Sequence, residues 1–215
     1  MLGAVIFDMD GVISDTQKLH AQAESDLLAR FGISLSAEAI TRRYAGVRTR
    51  DFFDDLLQET GKRYDLDQLM DEKWRMMRDA AAISVEPVRG ARELIAALSA
   101  LECRMAVASA SPSEYVRTVL EQLDVRRYFS AVVAGDMVAR GKPDPESFLL
   151  AAQRIGVAPR HCVVIEDGVS GMEAAARAGM RCVGLVDDVS QTYPTRHLVE
   201  SLVDVTPAYL RRIAL

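Results

Sequence analysis

Ala4-Val5-Ile6-Phe7-Asp8-Met9-Asp10-Gly11 runs from four apolar residues into two carboxylates and a glycine. A continuous apolar run this short suits a strand buried on both faces, and the glycine lets the chain turn sharply once the strand ends. Residues 105–108, 162–165 and 182–186 have the same character, and residues 131–134 have it more weakly. Helical periodicity fills 114–123, 145–155 and 169–178, between the later runs. This alternation predicts right-handed strand–helix–strand units and an α/β fold, a Rossmann-like parallel sheet with helices on both sides.

Residues 16 to about 83 break the alternation. They contain no convincing strand and at least three amphipathic segments, at roughly 17–31, 50–60 and 67–81. The stretch that follows, residues 84–90, carries Pro87 and Gly90 as a linker would. The expected organisation is an α/β core over 1–15 and 84–215, interrupted by a helical domain over 16–83.

Composition narrows the function classes. The 215 residues are 49% hydrophobic and 27% charged, the balance of a globular chain able to bury a substantial core. A net charge of −5, with Lys and Arg scattered among acids, argues against nucleic acid as a partner. Cys103, Cys162 and Cys182 lie at or beside apolar runs without metal-ligand spacing and read as small buried hydrophobes, which suits the cytoplasm. No apolar run approaches the roughly 20 residues needed to span a bilayer, and no basic segment precedes the first strand, so neither membrane insertion nor secretion is expected.

Open α/β sheets bind ligands beyond the carboxyl ends of their strands. Four such ends carry chemistry here. Asp8 and Asp10 follow the first; the pair could be ordinary turn residues, or two carboxylates that a cation brings together. At the second, Ser111 ahead of Pro112 reads as a helix N-cap, which leaves Ser109 and the backbone N–H groups of the helix start to hold a phosphate. Lys142, in Gly141-Lys142-Pro143-Asp144-Pro145, is either a solvated turn lysine or a charge that neutralises phosphate. At the fourth, Asp167 could cap the next helix, or Glu166 and Asp167 could supply oxygen ligands to a hard divalent cation such as magnesium.

These four motifs, in this order and over nearly the whole chain, resemble the haloacid dehalogenase superfamily. The resemblance implies that Asp8 attacks phosphorus and becomes an aspartyl phosphate, while Asp10 protonates the leaving oxygen and then activates water. It implies a Mg2+ held by Asp8, Asp10 through its carbonyl, and Asp167, with Glu166 a direct or outer ligand. Ser109 and Lys142 would grip the phosphoryl oxygens, with Met9, Asp10 and Ala110 completing the phosphate-binding set. The insert over 16–83 corresponds to the family's small helical cap, in which His20, Gly46, Val47, Arg48 and Arg50, together with Ser111 of the core, would meet the substrate.

Within that superfamily the second acid, Asp10, favours phosphate chemistry over dehalogenation. The closer resemblance, through Asp15-Thr16, His20 and residues 108–111, is to sugar-phosphate phosphatases and β-phosphoglucomutases. The mutase pattern has a lysine before the cap glycine and an arginine three residues after it; here those positions hold Ala45 and Thr49. A phosphatase acting on a small sugar or polyol phosphate therefore ranks above a mutase, with a monomer or weak homodimer expected. Lys73 and Arg75, on the last helix of the insert, are further candidates for contacting substrate, although a solvated helix face explains them better. A phospho-accepting receiver domain, a non-enzymatic alternative, requires its acid pair on an earlier strand than the acceptor; here the pair comes last.

Overall fold

The structure is a computed structural model that describes residues 2–44, 47, 49–61 and 63–214. Its elements run β1 (Ala4–Phe7), α1 (Gln17–Arg30), α2 (Ala37–Tyr44), α3 (Thr49–Thr60), α4 (Leu66–Ile83), α5 (Ala91–Ala100), β2 (Arg104–Ala108) and α6 (Ser113–Gln122). There follow β3 (Ala131–Val133), α7 (Glu146–Arg154), β4 (Cys162–Glu166), α8 (Val169–Arg177), β5 (Arg181–Leu185), β6 (His197–Val199) and α9 (Pro207–Ile213). No helix among the described residues is long and apolar enough to cross a membrane.

The six strands form one parallel sheet in the order β3-β2-β1-β4-β5-β6. Successive side chains of a strand point to opposite faces, and both faces are filled here. Val5, Phe7, Val107, Val163 and Ile165 pack on one side with α5, α6 and α9. Ala4, Ile6, Ala106, Ala108 and Val164 pack on the other with α7 and α8. The short apolar runs thus read as doubly covered strands, and the parallel α/β sheet expected from the sequence is the fold observed.

From β1 the chain builds outward through β2 and β3, then returns to the other flank of β1 with β4, so the strand order reverses around the first strand. The register pairs Phe7 with Val107 on one side and Ile165 on the other. Asp8 therefore emerges level with Glu166, and its N–H still donates to the Ile165 carbonyl at 2.9 Å. Such a switch point leaves a crevice at the carboxyl end of the sheet.

Helices α1 to α4 occupy one contiguous stretch with an apolar cluster of their own, including Leu27, Leu28, Ile40, Phe52, Phe53, Leu56 and Leu69. The opposite faces of α1 and α4 turn Ala23, Trp74, Met77 and Ala81 into the cluster on the sheet. Helix α4 starts at Leu66, because the Asp65 side chain accepts from the N–H groups of Asp67 and Gln68. Helices α2, α5 and α9 and strand β6 went unread in the sequence; β6 is three residues long and only partly buried, too little for a periodicity to show.

Phe53 is fully buried in the helical cluster. Phe53→Ala should cost about 3–5 kcal/mol, read as a lower urea midpoint; a loss below about 1 kcal/mol would show that α1 to α4 are not held together by this cluster.

Candidate active site

The crevice is organised by a buried lysine. Lys142, 3% exposed on the loop before α7, donates to Asp8 Oδ1 and, at 2.7 Å, to Glu166 Oε2. It is a solvated turn lysine no longer; its ammonium bridges the ends of β1 and β4. Burial alone would lower its proton affinity, but the charges of Asp8 and Glu166 outweigh that and raise it. Glu166 can fold inward because α8 has a glycine opposite: a Cβ on Gly171 would fall 2.0 Å from Glu166 Oε2. Its other oxygen accepts from the Gly168 N–H at 3.0 Å.

Asp8 and Asp167 remain under electrostatic load. Burial and the Glu166 charge raise both carboxyls well above the ordinary value, and Lys142 offsets only part of this. Asp167 does not cap α8, whose N-cap is Gly168 with no side-chain bond. Instead Asp167 Oδ2 accepts from Gln17 at 3.0 Å, while Oδ1 is buried with no hydrogen-bond partner. Carboxylate oxygens of Asp8, Glu166 and Asp167 lie within 4.8 Å of one another. Three acids facing one ammonium, with one oxygen unpaired, fit a hard divalent cation. The turn after Asp10 leaves no room for a side chain: Gly11 has φ +88°, and a Cβ there would fall 2.1 Å from Asp167 Oδ2.

Asp10 sits in a different environment. It accepts from Thr16 Oγ1 at 2.5 Å and Ser111 Oγ at 2.8 Å, and His20 Nε2 lies at 3.1 Å. Burial would raise its carboxyl, but attraction to His20 and these hydrogen bonds win and bring it down to about 2. Ser111 is thus a partner of Asp10 and not a helix cap; α6 begins at Ser113, whose N–H donates to Asp136 Oδ1 at 3.1 Å. Ser109 is buried and not among the residues that line the cavity; it accepts from the Ser111 N–H at 3.1 Å and fixes that loop.

The helical side contributes a second buried lysine. Lys73 is fully buried and so does not lie on a solvated face. Its ammonium meets His20 Nδ1 at 2.9 Å, Thr49 Oγ1 at 2.8 Å and Glu24 Oε1 at 3.3 Å, and stands 3.7 Å from the Trp74 ring centroid. An ammonium only donates, so Nδ1 accepts and the ring proton sits on Nε2, facing Asp10. His20 also packs edge-on against Tyr115 and Trp74. Arg75, by contrast, is exposed beside Glu72.

The cavity between the two layers is lined by Asp8, Asp10, Gln17, His20, Glu24, Val47, Thr49, Ala110 and Ser111, among others. Met9 is fully buried and is not among the residues that line the cavity. Arg50 is not brought to the cavity; it is exposed and paired with Asp67. Gly46 and Arg48, and Ala45 beside them, lie outside the described residues. Sequence reasoning missed Gln17, Glu24 and Thr49 as cavity residues. Gln17 had one available signal, its place directly after Thr16.

A family model described as haloacid dehalogenase-like hydrolase matches residues 2–179. The chain is 35% identical over 191 residues to a phosphorylated carbohydrates phosphatase of Thermotoga maritima, a match covering 87% of each chain. It is 37% identical over 181 residues to the fructose-1-phosphate phosphatase YqaB of Escherichia coli, covering 83% of this chain and 94% of that one. The structure superimposes on a crystal structure of β-phosphoglucomutase from Clostridium difficile with a TM-score of 0.89 and 25% identity, covering 100% of this chain and 97% of the other. With its motifs gathered at one crevice and the family model spanning most of its length, the chain belongs to the haloacid dehalogenase-like hydrolases.

Proposed function

We propose that this protein is a magnesium-dependent phosphatase that hydrolyses a small sugar or polyol phosphate through an aspartyl phosphate on Asp8. The observation that carries this reading is the unequal treatment of two acids two residues apart. Asp8 is bound by the buried Lys142, while Asp10 is held by His20, Thr16 and Ser111. The named activities of the Thermotoga and E. coli relatives support it.

In the first half-reaction an Asp8 oxygen forms a bond to phosphorus as the bond to the ester oxygen breaks, and Asp10 gives its proton to that leaving oxygen. Asp10 is ionised in the arrangement described here, so its acid role requires that a phosphate dianion bound beside it raise its proton affinity. In the second half-reaction Asp10 takes a proton from water, whose oxygen attacks phosphorus and returns the Asp8 carboxylate. Lys142 counters negative charge on the phosphoryl oxygens, and Ser109 holds the loop beside them. Asp8, Asp167 and the Asp10 carbonyl would hold Mg2+, with Glu166 adjacent, and the ion would supply positive charge against the transferring group. Helices α1 to α4 act as a cap domain that excludes bulk water and contacts the leaving group.

Thr49 favours water over a returning sugar hydroxyl as the second acceptor. It stands where the mutase pattern has an arginine, is 7% exposed, and accepts from Lys73. The structural likeness to β-phosphoglucomutase keeps the mutase as the second reading. With β-glucose 1-phosphate as substrate, inorganic phosphate should accumulate faster than glucose 6-phosphate; the opposite order establishes the mutase.

Asp8→Asn should cut phosphate release from p-nitrophenyl phosphate by at least about a thousandfold while the circular dichroism stays that of the parent. Near-normal turnover in that variant would remove Asp8 as nucleophile. Asp167 gives a metal-dependent test. Its folded-state carboxyl lies above the unfolded value of about 3.9, so this group favours folding below about pH 4 and opposes it as pH rises and the native carboxyl ionises. Asp167→Asn should therefore raise the metal-free melting temperature at pH 7. Mg2+ at about 100 times its Kd should stabilise the parent by about 2.7 kcal/mol and the variant much less; equal Mg2+ stabilisation of both would exclude Asp167 as a ligand.

A further inference from the structure

Lys73 is a fully buried cation behind the cavity, held by three residues that line it, and has nothing left to offer a substrate. Its ammonium has three N–H donors, and His20 Nδ1, Thr49 Oγ1 and Glu24 Oε1 take all three, while Trp74 covers one side. Glu24 is 8% exposed and faces the same cavity as Asp8 and Asp10. We propose that Glu24 is a specificity-determining residue that reserves the leaving-group side of the cavity for uncharged, hydroxyl-rich groups and rejects esters carrying a second phosphate or a carboxylate. The proposal rests on the phosphatase reading and refines its substrate class.

Two effects act together. Glu24 offsets the charge of the buried Lys73 behind the wall, and it presents to the cavity a carboxylate that repels a distal anion. The remaining wall suits a polyol: Thr41, Tyr44 and Thr49 bring hydroxyl oxygens, and Ala21 and Ile40 give apolar surface to the carbon skeleton.

Glu24→Gln tests this with little change of shape, since the amide oxygen can still accept from Lys73. In the parent, kcat/KM for fructose 1-phosphate or sorbitol 6-phosphate should exceed that for fructose 1,6-bisphosphate by more than about tenfold. In the variant that ratio should shrink by about tenfold, mainly through a lower KM for the bisphosphate. A purely structural Glu24 would lower turnover of all esters alike and leave the ratio unchanged, which overturns the proposal. Glu24→Asp keeps the charge and should keep the parent's ratio. Should Glu24→Gln not fold, calorimetric binding of the same ligands to Asp8→Asn protein with Mg2+ decides it: tighter binding of the bisphosphate refutes the proposal, tighter binding of the monophosphate supports it. That binding needs no turnover, so absence of phosphate release from p-nitrophenyl phosphate by the parent would refute the phosphatase reading separately.

Discussion

Everything at the crevice depends on placing one ammonium among carboxylates at the end of a hydrophobic sheet. Lys142 touches Asp8 from β1 and Glu166 from β4, strands that are neighbours only because the sheet order reverses around β1. Without that cation the two acids would face each other with almost no access to water, an arrangement that proteins avoid by protonating one of them. With it, the pair keeps a net negative charge, which Asp167 increases. The fold thus supports a local concentration of negative charge that a divalent cation can answer.

Lys73 repeats the device on the helical side. It too is buried and serves acids, Glu24 directly and Asp10 through His20. The two lysines lie behind the two members of the Asp8–Asp10 pair, yet the carboxylates, separated by one residue, are shifted in opposite directions by their nearer surroundings. Burial and Glu166 dominate at Asp8, whereas attraction to His20 and three hydrogen bonds dominate at Asp10. A lysine in each layer makes the electrostatics of the pair a property of both layers together.

The sheet and the identity of the core acids were legible because both have short-range signatures: doubly buried strands are continuous apolar runs, and their carboxyl ends carry the polar residues. The roles of Ser111 and Lys73 were not legible, and for a definite reason. Local rules place a serine before Pro112 as a cap, and place a lysine among the acids and arginines of α4 on a wet face. Each is overruled by a partner far along the chain, Asp10 for Ser111 and His20 with Glu24 for Lys73. Gln17 escaped notice in the same way, since its contact with Asp167 joins residues 150 positions apart. Spacing reports neighbours along the chain, and these contacts are between layers.

The central position of β1 also has a consequence for synthesis. Ala4 pairs with Arg104 on one side and with Cys162 on the other, so the first strand made waits for both its neighbours. A nascent chain can complete the β1–β2 contact while Glu166 and Asp167 are still untranslated. Loop closure over such separations is slow, and parallel pairing cannot begin from a local hairpin. Asp8 is thus made well before the acids of β4, and its charge environment is finished only after that strand docks, so partly synthesised chains carry Asp8 without its native surroundings.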